Sequence, residues 1–171
     1  YDSMVRFLFA IIFLLVVPLT VKASVYLATG SSSVTRGRVV PILYGGYDFE
    51  NFGFSASSTG VKTDLYYSNY YELNGYWVYK PTDFLGGELR SGVGIGLQYT
   101  HEVFRESVGD TDYKIEDSYQ YGLAFKIFQV YWESFFFGME NLFGFNGVWG
   151  QLSRVTIVPA HTTKVIVGFT F

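Results

Sequence analysis

Two long segments of this chain alternate between apolar residues and polar or small ones. Residues 87–102 read GELRSGVGIGLQYTHE, with Leu89, Val93, Ile95, Leu97 and Tyr99 on the odd positions and polar residues or glycine on the even ones. Residues 113–127 repeat the pattern. A period of two is that of a β-strand with one apolar face, and about 15 residues exceeds the usual strand of a soluble β-sandwich. The alternation therefore predicts tilted strands that cross a bilayer and continue beyond it.

The composition favours a β-sheet and excludes several function classes. The 171 residues include 17 Phe, 15 Tyr, 3 Trp and 19 Gly, a mixture that favours strands over helices. The net charge is -3 and the lysines and arginines do not cluster, which argues against a nucleic-acid partner. The chain has no cysteine, so disulfides, thiol catalysis and cysteine metal sites are excluded.

The N-terminal segment has the three-part layout of a secretory signal peptide. Arg6 gives a positive start, residues 7–17 form an unbroken apolar run, and Ala23 supplies the small residue at a cleavage site. The run is shorter than the about 20 apolar residues of a transmembrane helix, and Pro18 further disfavours the alternative of an uncleaved anchor. We expect residues 1–23 to be upstream residues and signal peptide, and residues 24–171 to form one β-barrel domain.

The connections between the predicted strands alternate in length. KPTDFLGG (80–87) and FQVY (128–131) are short turns, whereas FRESVGDTDY (104–113) is a longer polar loop. Outer-membrane barrels have short periplasmic turns and longer external loops. Counting back from the C-terminus predicts an all-β, eight-stranded, antiparallel up-and-down transmembrane barrel with both mature termini in the periplasm. The predicted strands are 24–28, 37–47, 51–58, 65–80, 86–102, 113–127, 131–144 and 162–171, with ATGSSSVTRG (28–37) as an external loop.

The charges on the predicted outer face support this interpretation. In strand six the only outward charge is Asp117, and in strand seven the outward Phe135, Phe137 and Met139 lie between Glu133 and Asn141. Polar residues therefore fall near the two ends of a segment about 9 to 11 residues long, the length that crosses the hydrocarbon. A soluble periplasmic β-sandwich is the alternative, but it would not need charges excluded from such a band.

The signal peptide, the even strand count and the C-terminal KVIVGFTF together resemble Gram-negative outer-membrane β-barrel proteins. The small eight-stranded class of OmpA membrane domains and OmpX is the most similar in architecture, and residues 38–54 also show a local likeness to the MipA/OmpV family. In outer-membrane barrels the last strand carries an assembly signal with a polar residue, a glycine and two aromatics. Lys164, Phe169 and Phe171 match it, while Ile166 stands where glycine is usual and Gly168 lies nearby. The resemblance implies location in the bacterial outer membrane and, as partners, outer-membrane lipid, lipopolysaccharide and the barrel-assembly machinery.

An eight-stranded barrel encloses a lumen that side chains can fill. Acids and bases are nearly balanced on the predicted inward face, so pairing between them is the least costly arrangement. We expect a plugged lumen; the alternative is a narrow channel for protons or small solutes. The predicted lumen charges are Glu72, Lys80, Glu88, Arg90, Lys126, Glu140 and Lys164, accompanied by Gln98 and Gln120.

No catalytic, cofactor or metal site is predicted. His101 and His161 fall at the external end near Ser107, Asp110 and Ser153, and some barrels that resemble this architecture are lipid-A-modifying enzymes that use His and Ser there. Such a pair needs hydrogen-bond reach and an orienting acid, which the sequence does not establish. GVGIG (92–96) lacks the last glycine of a nucleotide-binding loop and no helix follows. Two histidines without cysteines or a carboxylate cluster make a poor metal site.

The segment FNGVWGQLSRVTIVPAH (145–161) is predicted to be external and is too apolar for a purely solvated loop. It could fold over the barrel mouth, contact a partner through Trp149, Val155, Ile157 and His161, or extend the strands above the membrane. The sequence names no surface partner. The function that these features favour is that of a non-enzymatic outer-membrane barrel with a structural or surface-interaction role.

Overall fold

The computed structural model describes residues 23–34, 38–63, 65–105, 113–150 and 156–171, and these form a β-barrel. The predicted signal peptide lies almost entirely outside the described residues. No helix in the described ranges is long and apolar enough to cross a membrane. The strands are β1 (Ala23–Val34), β2 (Arg38–Phe49), β3 (Phe52–Lys62), β4 (Tyr66–Val78), β5 (Thr82–Phe84), β6 (Gly87–Arg105), β7 (Tyr113–Trp132), β8 (Phe135–Gly150) and β9 (Thr156–Thr170).

Every strand runs antiparallel to its neighbours, and the sheet closes on itself. The order is β4-β3-β2-β1-β9-β8-β7-β6-β5, and an additional β4–β6 ladder joins the two sides of the sheet. The three-residue β5 pairs only with the start of β6 and does not enter the ring. The predicted all-β fold with eight antiparallel barrel strands is therefore confirmed.

The ladders define how steeply the strands tilt. From Ala28 on β1, the ladder partners can be followed from strand to strand around the barrel, beginning with Tyr44 on β2 and ending with Val158 on β9. Ala28 itself, however, pairs directly with Gly168 on β9, ten residues further along that strand. The offset from 158 to 168 corresponds to strands tilted by about 40° from the barrel axis. A barrel of this kind leaves a narrow interior that side chains fill.

Several strands are longer than predicted. β1 continues to Val34, so most of the predicted loop 28–37 is strand. β7 continues to Trp132, so the predicted turn FQVY (128–131) is also strand, and the chain turns instead at Glu133 and Ser134. Glu133 has a φ of 45°, in the left-handed region that tight turns use. In both segments the residues are paired with neighbouring strands.

A β-bulge in β7 explains why its inward pattern changes parity. Lys126 pairs with Glu140 and Phe128 pairs with Met139, so Ile127 is an extra residue in the ladder with β8, and the ladder with β6 shifts at the same place. An extra residue reverses which side chains face inward. Gln129 is buried in the lumen for this reason, although its odd number predicted the outer face.

Burial is reversed relative to a soluble protein. Large apolar side chains are exposed on the outer surface, with Leu73 at 63% and Ile95 at 72%, whereas Lys126 and Lys164 are at most 1% exposed in the interior. Exposed apolar surface of this extent marks contact with a partner or a membrane. Aromatic pairs lie towards both ends of the outer surface, Tyr71 with Tyr99 at one end and Phe52 with Trp77 at the other.

The barrel wall is taller on one side. β6 and β7 contain 19 and 20 residues, whereas β1, β2 and β3 contain 11 or 12. The β1–β9 ladder begins at the Ser32–Lys164 pair, so the part of β9 from Thr156 to Thr163 has no ladder partner on its β1 side. Pro159 lies in this edge segment, which is where a sheet tolerates proline.

Candidate functional site

The middle of the lumen contains a buried ion-pair cluster around Lys164. The ammonium of Lys164, on β9, contacts Glu72 Oε1 from β4 and lies 2.9 Å from Glu140 Oε2 on β8. Tyr44 donates a hydrogen bond to Glu140, and Tyr70 donates one to Glu72. All of these side chains are at most 3% exposed, so the cluster joins strands on opposite sides of the barrel without access to solvent.

A second cluster lies nearer the end that contains the chain's C-terminus. Lys126 Nζ lies 2.7 Å from Asp48 Oδ1, and Arg90 Nη1 lies 3.3 Å from Asp48 Oδ2. Arg90 also pairs with Glu88, whose side chain is 43% exposed at the margin of the lumen. The ring of Tyr131 lies 4.7 Å below the Arg90 guanidinium, a cation–π contact.

An uncharged layer covers the Lys164 cluster on the other side. The Thr162 hydroxyl lies 2.9 Å from Gln98 Oε1 and 3.0 Å from Gln120 Oε1. Gln120 Nε2 donates to the carbonyl of Leu142 at 3.0 Å. The three side chains are at most 1% exposed, and they close the lumen above the ion pairs.

The two clusters together contain three cations and four carboxylates, because Glu88 is a further partner of Arg90. The cations Lys126, Lys164 and Arg90 face the carboxylates of Asp48, Glu72 and Glu140. Each cation is paired, because a lone buried charge costs several kcal/mol and pairing with hydrogen bonds offsets that cost. The arrangement can hold the strands in one register and block a solute path; among the described residues it offers no nucleophile activated by a base.

The prediction for the lumen charges included one residue that lies outside the lumen and missed three buried carboxylates. Lys80 is exposed in the connection after β4 and lies outside the lumen, because β4 ends at Val78 and the inward alternation ends with it. Glu102 and Glu116 were missed, and so was Asp48, although it pairs with two of the cations. Its signal was the even-numbered series of β2, in which Val40, Ile42, Tyr44, Gly46 and Asp48 are all buried.

The predicted C-terminal assembly residues occupy distinct positions on β9. Phe169 and Phe171 are exposed on the outer face, whereas Lys164 is in the lumen. Gly168 lies at the seam with β1, where a Cβ would be 2.1 Å from the Leu27 carbonyl oxygen. The seam therefore requires glycine at this position, independently of any assembly role.

The two histidines belong to separate clusters. His101 Nδ1 lies 2.8 Å from Asp117 Oδ1, and Tyr99 donates a hydrogen bond to the same oxygen at 2.8 Å. His161 stacks on Phe143 and its Nε2 lies 2.9 Å from Thr163 Oγ1. Ser107, Asp110 and Ser153, the predicted companions, lie outside the described residues.

The predicted external contact segment is largely strand. β8 runs to Gly150, which includes Trp149, and β9 resumes at Thr156. Ile157 and His161 are exposed on the taller side of the wall, while Val155 lies outside the described residues. The described part of residues 145–161 extends the strands, and its contact with a partner stays a prediction.

Comparison with protein-family models and with curated proteins found no match. Among solved structures, the N-terminal β-barrel domain of Pseudomonas aeruginosa OprF is similar, with a TM-score of 0.54 and 15% identity over 88% of this chain and 98% of that one. Yersinia pestis Ail has a TM-score of 0.35 and 17% identity over 87% and 96%. Neisserial surface protein A has a TM-score of 0.36 and 13% identity over 86% and 94%. At this identity the OprF similarity concerns the fold alone: the chain shares the small eight-stranded β-barrel architecture of an outer-membrane protein domain.

Proposed function

We propose that this protein spans the bacterial outer membrane as a non-conducting barrel with a structural or surface-interaction role. The observation that carries the proposal is the reversed burial: paired charges fill the interior while Leu73, Ile95 and other large apolar side chains cover the outside. Water would not stabilise such an exterior, whereas a hydrocarbon phase would. Outer-membrane lipid and lipopolysaccharide are then its surroundings, and the barrel-assembly machinery its partner during biogenesis.

The closed lumen favours this role over conduction. The clusters centred on Lys164 and Lys126, together with the Gln98–Gln120–Thr162 layer, cross the interior at three levels. An ion that moved through would have to displace buried pairs whose separation costs several kcal/mol. The taller wall of β6 to β9 is the surface that such a barrel would offer above the membrane.

Purified protein reconstituted into a planar bilayer tests the proposal. We expect no discrete conductance steps from folded barrels, because the native ion pairs close the lumen. Stable ohmic conductance from a heat-modifiable, folded preparation would overturn the non-conducting role and favour the narrow channel.

A further inference from the structure

An apolar groove crosses the outer face of β2, β3, β4 and β6. Its volume is about 440 Å³, within the range of ligand pockets. Gly45, Ala56 and Gly75 line it with small side chains, and Leu73 and Ile95 project beside them. The lining is almost entirely apolar, so an apolar occupant would gain from filling the groove.

A cation lies above the groove on the same strand face. The outward positions of β3 continue from Ala56 through Ser58 and Gly60 to Lys62, which is exposed. Six residues span about 20 Å along a strand, or about 15 Å along the axis at a tilt of about 40°. That rise is half of the about 30 Å hydrocarbon thickness, so Lys62 would lie at headgroup depth if the groove lies near the bilayer midplane.

The barrel wall separates beside Lys62. The β2–β3 ladder ends at the Leu43–Ser58 pair, although β2 begins at Arg38 and β3 continues to Lys62. Residues 38–42 and 59–62 therefore form no ladder with each other, and Pro41 has no N–H to contribute. Backbone groups on the facing edges need polar partners at this depth, which lipid headgroups and interfacial water supply.

We propose that this groove holds an acyl chain of an anionic membrane lipid whose phosphate binds Lys62. The inference rests on the proposed membrane location and adds a specific lipid site to it. The occupant follows from two features on one strand face: an apolar groove at hydrocarbon depth, and a cation about half a bilayer thickness above it. A second copy of the chain would use only the groove, whereas a free fatty acid shares both features and is distinguished from a phospholipid by the palmitate probe below.

Native mass spectrometry of the folded barrel in detergent tests this site. The probes are phosphatidylglycerol and phosphatidylcholine with identical acyl chains, and palmitate. Gly75→Leu fills the groove, and a Cβ at Gly75 meets nothing nearer than Phe54 Cε1 at 3.6 Å. Lys62→Gln removes the charge, and Ser31→Leu places the same leucine side chain on the outer face of β1 as a control. Each variant is first checked for heat-modifiable gel mobility.

We expect the wild type to retain phosphatidylglycerol about fivefold more tightly than phosphatidylcholine, the effect of one lysine near a membrane surface. Lys62→Gln should abolish that preference, Gly75→Leu should weaken retention of both lipids, and Ser31→Leu should change neither. Equal retention of both lipids by folded wild type, retention of palmitate more tightly than of phosphatidylglycerol, a dimer instead of a lipid complex, or no effect of Gly75→Leu would each overturn this inference alone. A chain that forms no barrel in detergent would overturn the proposed function as well.

Discussion

Lys164 Nζ lies 2.9 Å from Glu140 Oε2, and this pair joins the last two strands of the barrel inside a lumen that excludes solvent. Glu72 contacts the same ammonium from β4. A pair of this kind fixes how the closing strand sits against its neighbour and against the far wall. The register of β9, on which closure depends, is thus tied to a charge at the centre of the barrel.

Removing this charge should destabilise the barrel strongly. Lys164→Met leaves Glu72 and Glu140 buried and uncompensated, which we expect to cost about 3 to 5 kcal/mol of unfolding free energy. Urea unfolding in lipid vesicles measures the loss, and Lys80→Met, at an exposed lysine outside the lumen, is the control. Adding Glu140→Gln to Lys164→Met should recover part of the stability. Equal stability of the two lysine variants would show that the Lys164 pair does not hold the fold.

A charge on the apolar belt should cost stability according to its depth. Leu73→Arg places a cation on the outer face in the middle of the belt, and we expect about 2 to 4 kcal/mol of destabilisation. Tyr67→Arg, near the rim of the same strand, should cost about 0 to 1 kcal/mol. Urea unfolding in lipid vesicles compares the unfolding free energies of the two variants. A soluble barrel would tolerate arginine equally at both exposed positions. Equal stability of the two variants would therefore contradict the membrane location.

The seam between β1 and β9 should not tolerate a side chain at Gly168. Gly168→Val would bring its Cβ against the Leu27 carbonyl, so we expect loss of the compact, heat-modifiable form on gels. Gly75→Val is the matched control, because a Cβ there has room. Normal closure of the Gly168→Val barrel would mean that the β1–β9 pairing differs from the one described.

The C-terminal aromatic should matter for assembly more than for stability. Phe171 is 78% exposed and contributes little packing. Phe171→Ala should therefore fold in detergent with nearly unchanged urea sensitivity, yet accumulate poorly in the outer membrane of cells when assembly is followed by fractionation. Equal loss of folded protein in detergent and in cells would indicate that Phe171 has a structural role. Normal accumulation in the outer membrane of cells would show that Phe171 is not part of the assembly signal.

The bulge at Ile127 predicts which residues of β7 face lipid. The chain has no cysteine, so single-cysteine variants can be labelled selectively. We expect a membrane-permeant maleimide to modify Phe128→Cys and Leu123→Cys, and to leave Gln129→Cys unmodified in the closed lumen. Labelling of Gln129→Cys with protection of Phe128→Cys would show that the alternation continues without a bulge.

The alternation of residues, together with the lengths of the connections, was sufficient to predict the strand number and most side-chain directions, because the long strands β6 and β7 each have one mainly apolar face. What depends on distant partners could not be predicted this way. Lys126 and Asp48 are 78 residues apart, and their contact follows from the stagger between strands, which no local pattern encodes. The bulge in β7 was also missed. Ile127 is apolar, so its residue type does not indicate whether it is a regular outward residue or an extra residue in the ladder.

Heat-modifiability tests the central claim most directly. Residues 24–171 are refolded in detergent, and gel mobility with and without boiling is compared alongside circular dichroism. A closed membrane barrel predicts a boiling-dependent shift in mobility with a β-rich spectrum before heating. No shift, together with solubility in the absence of detergent, would contradict the account and indicate a soluble β-protein.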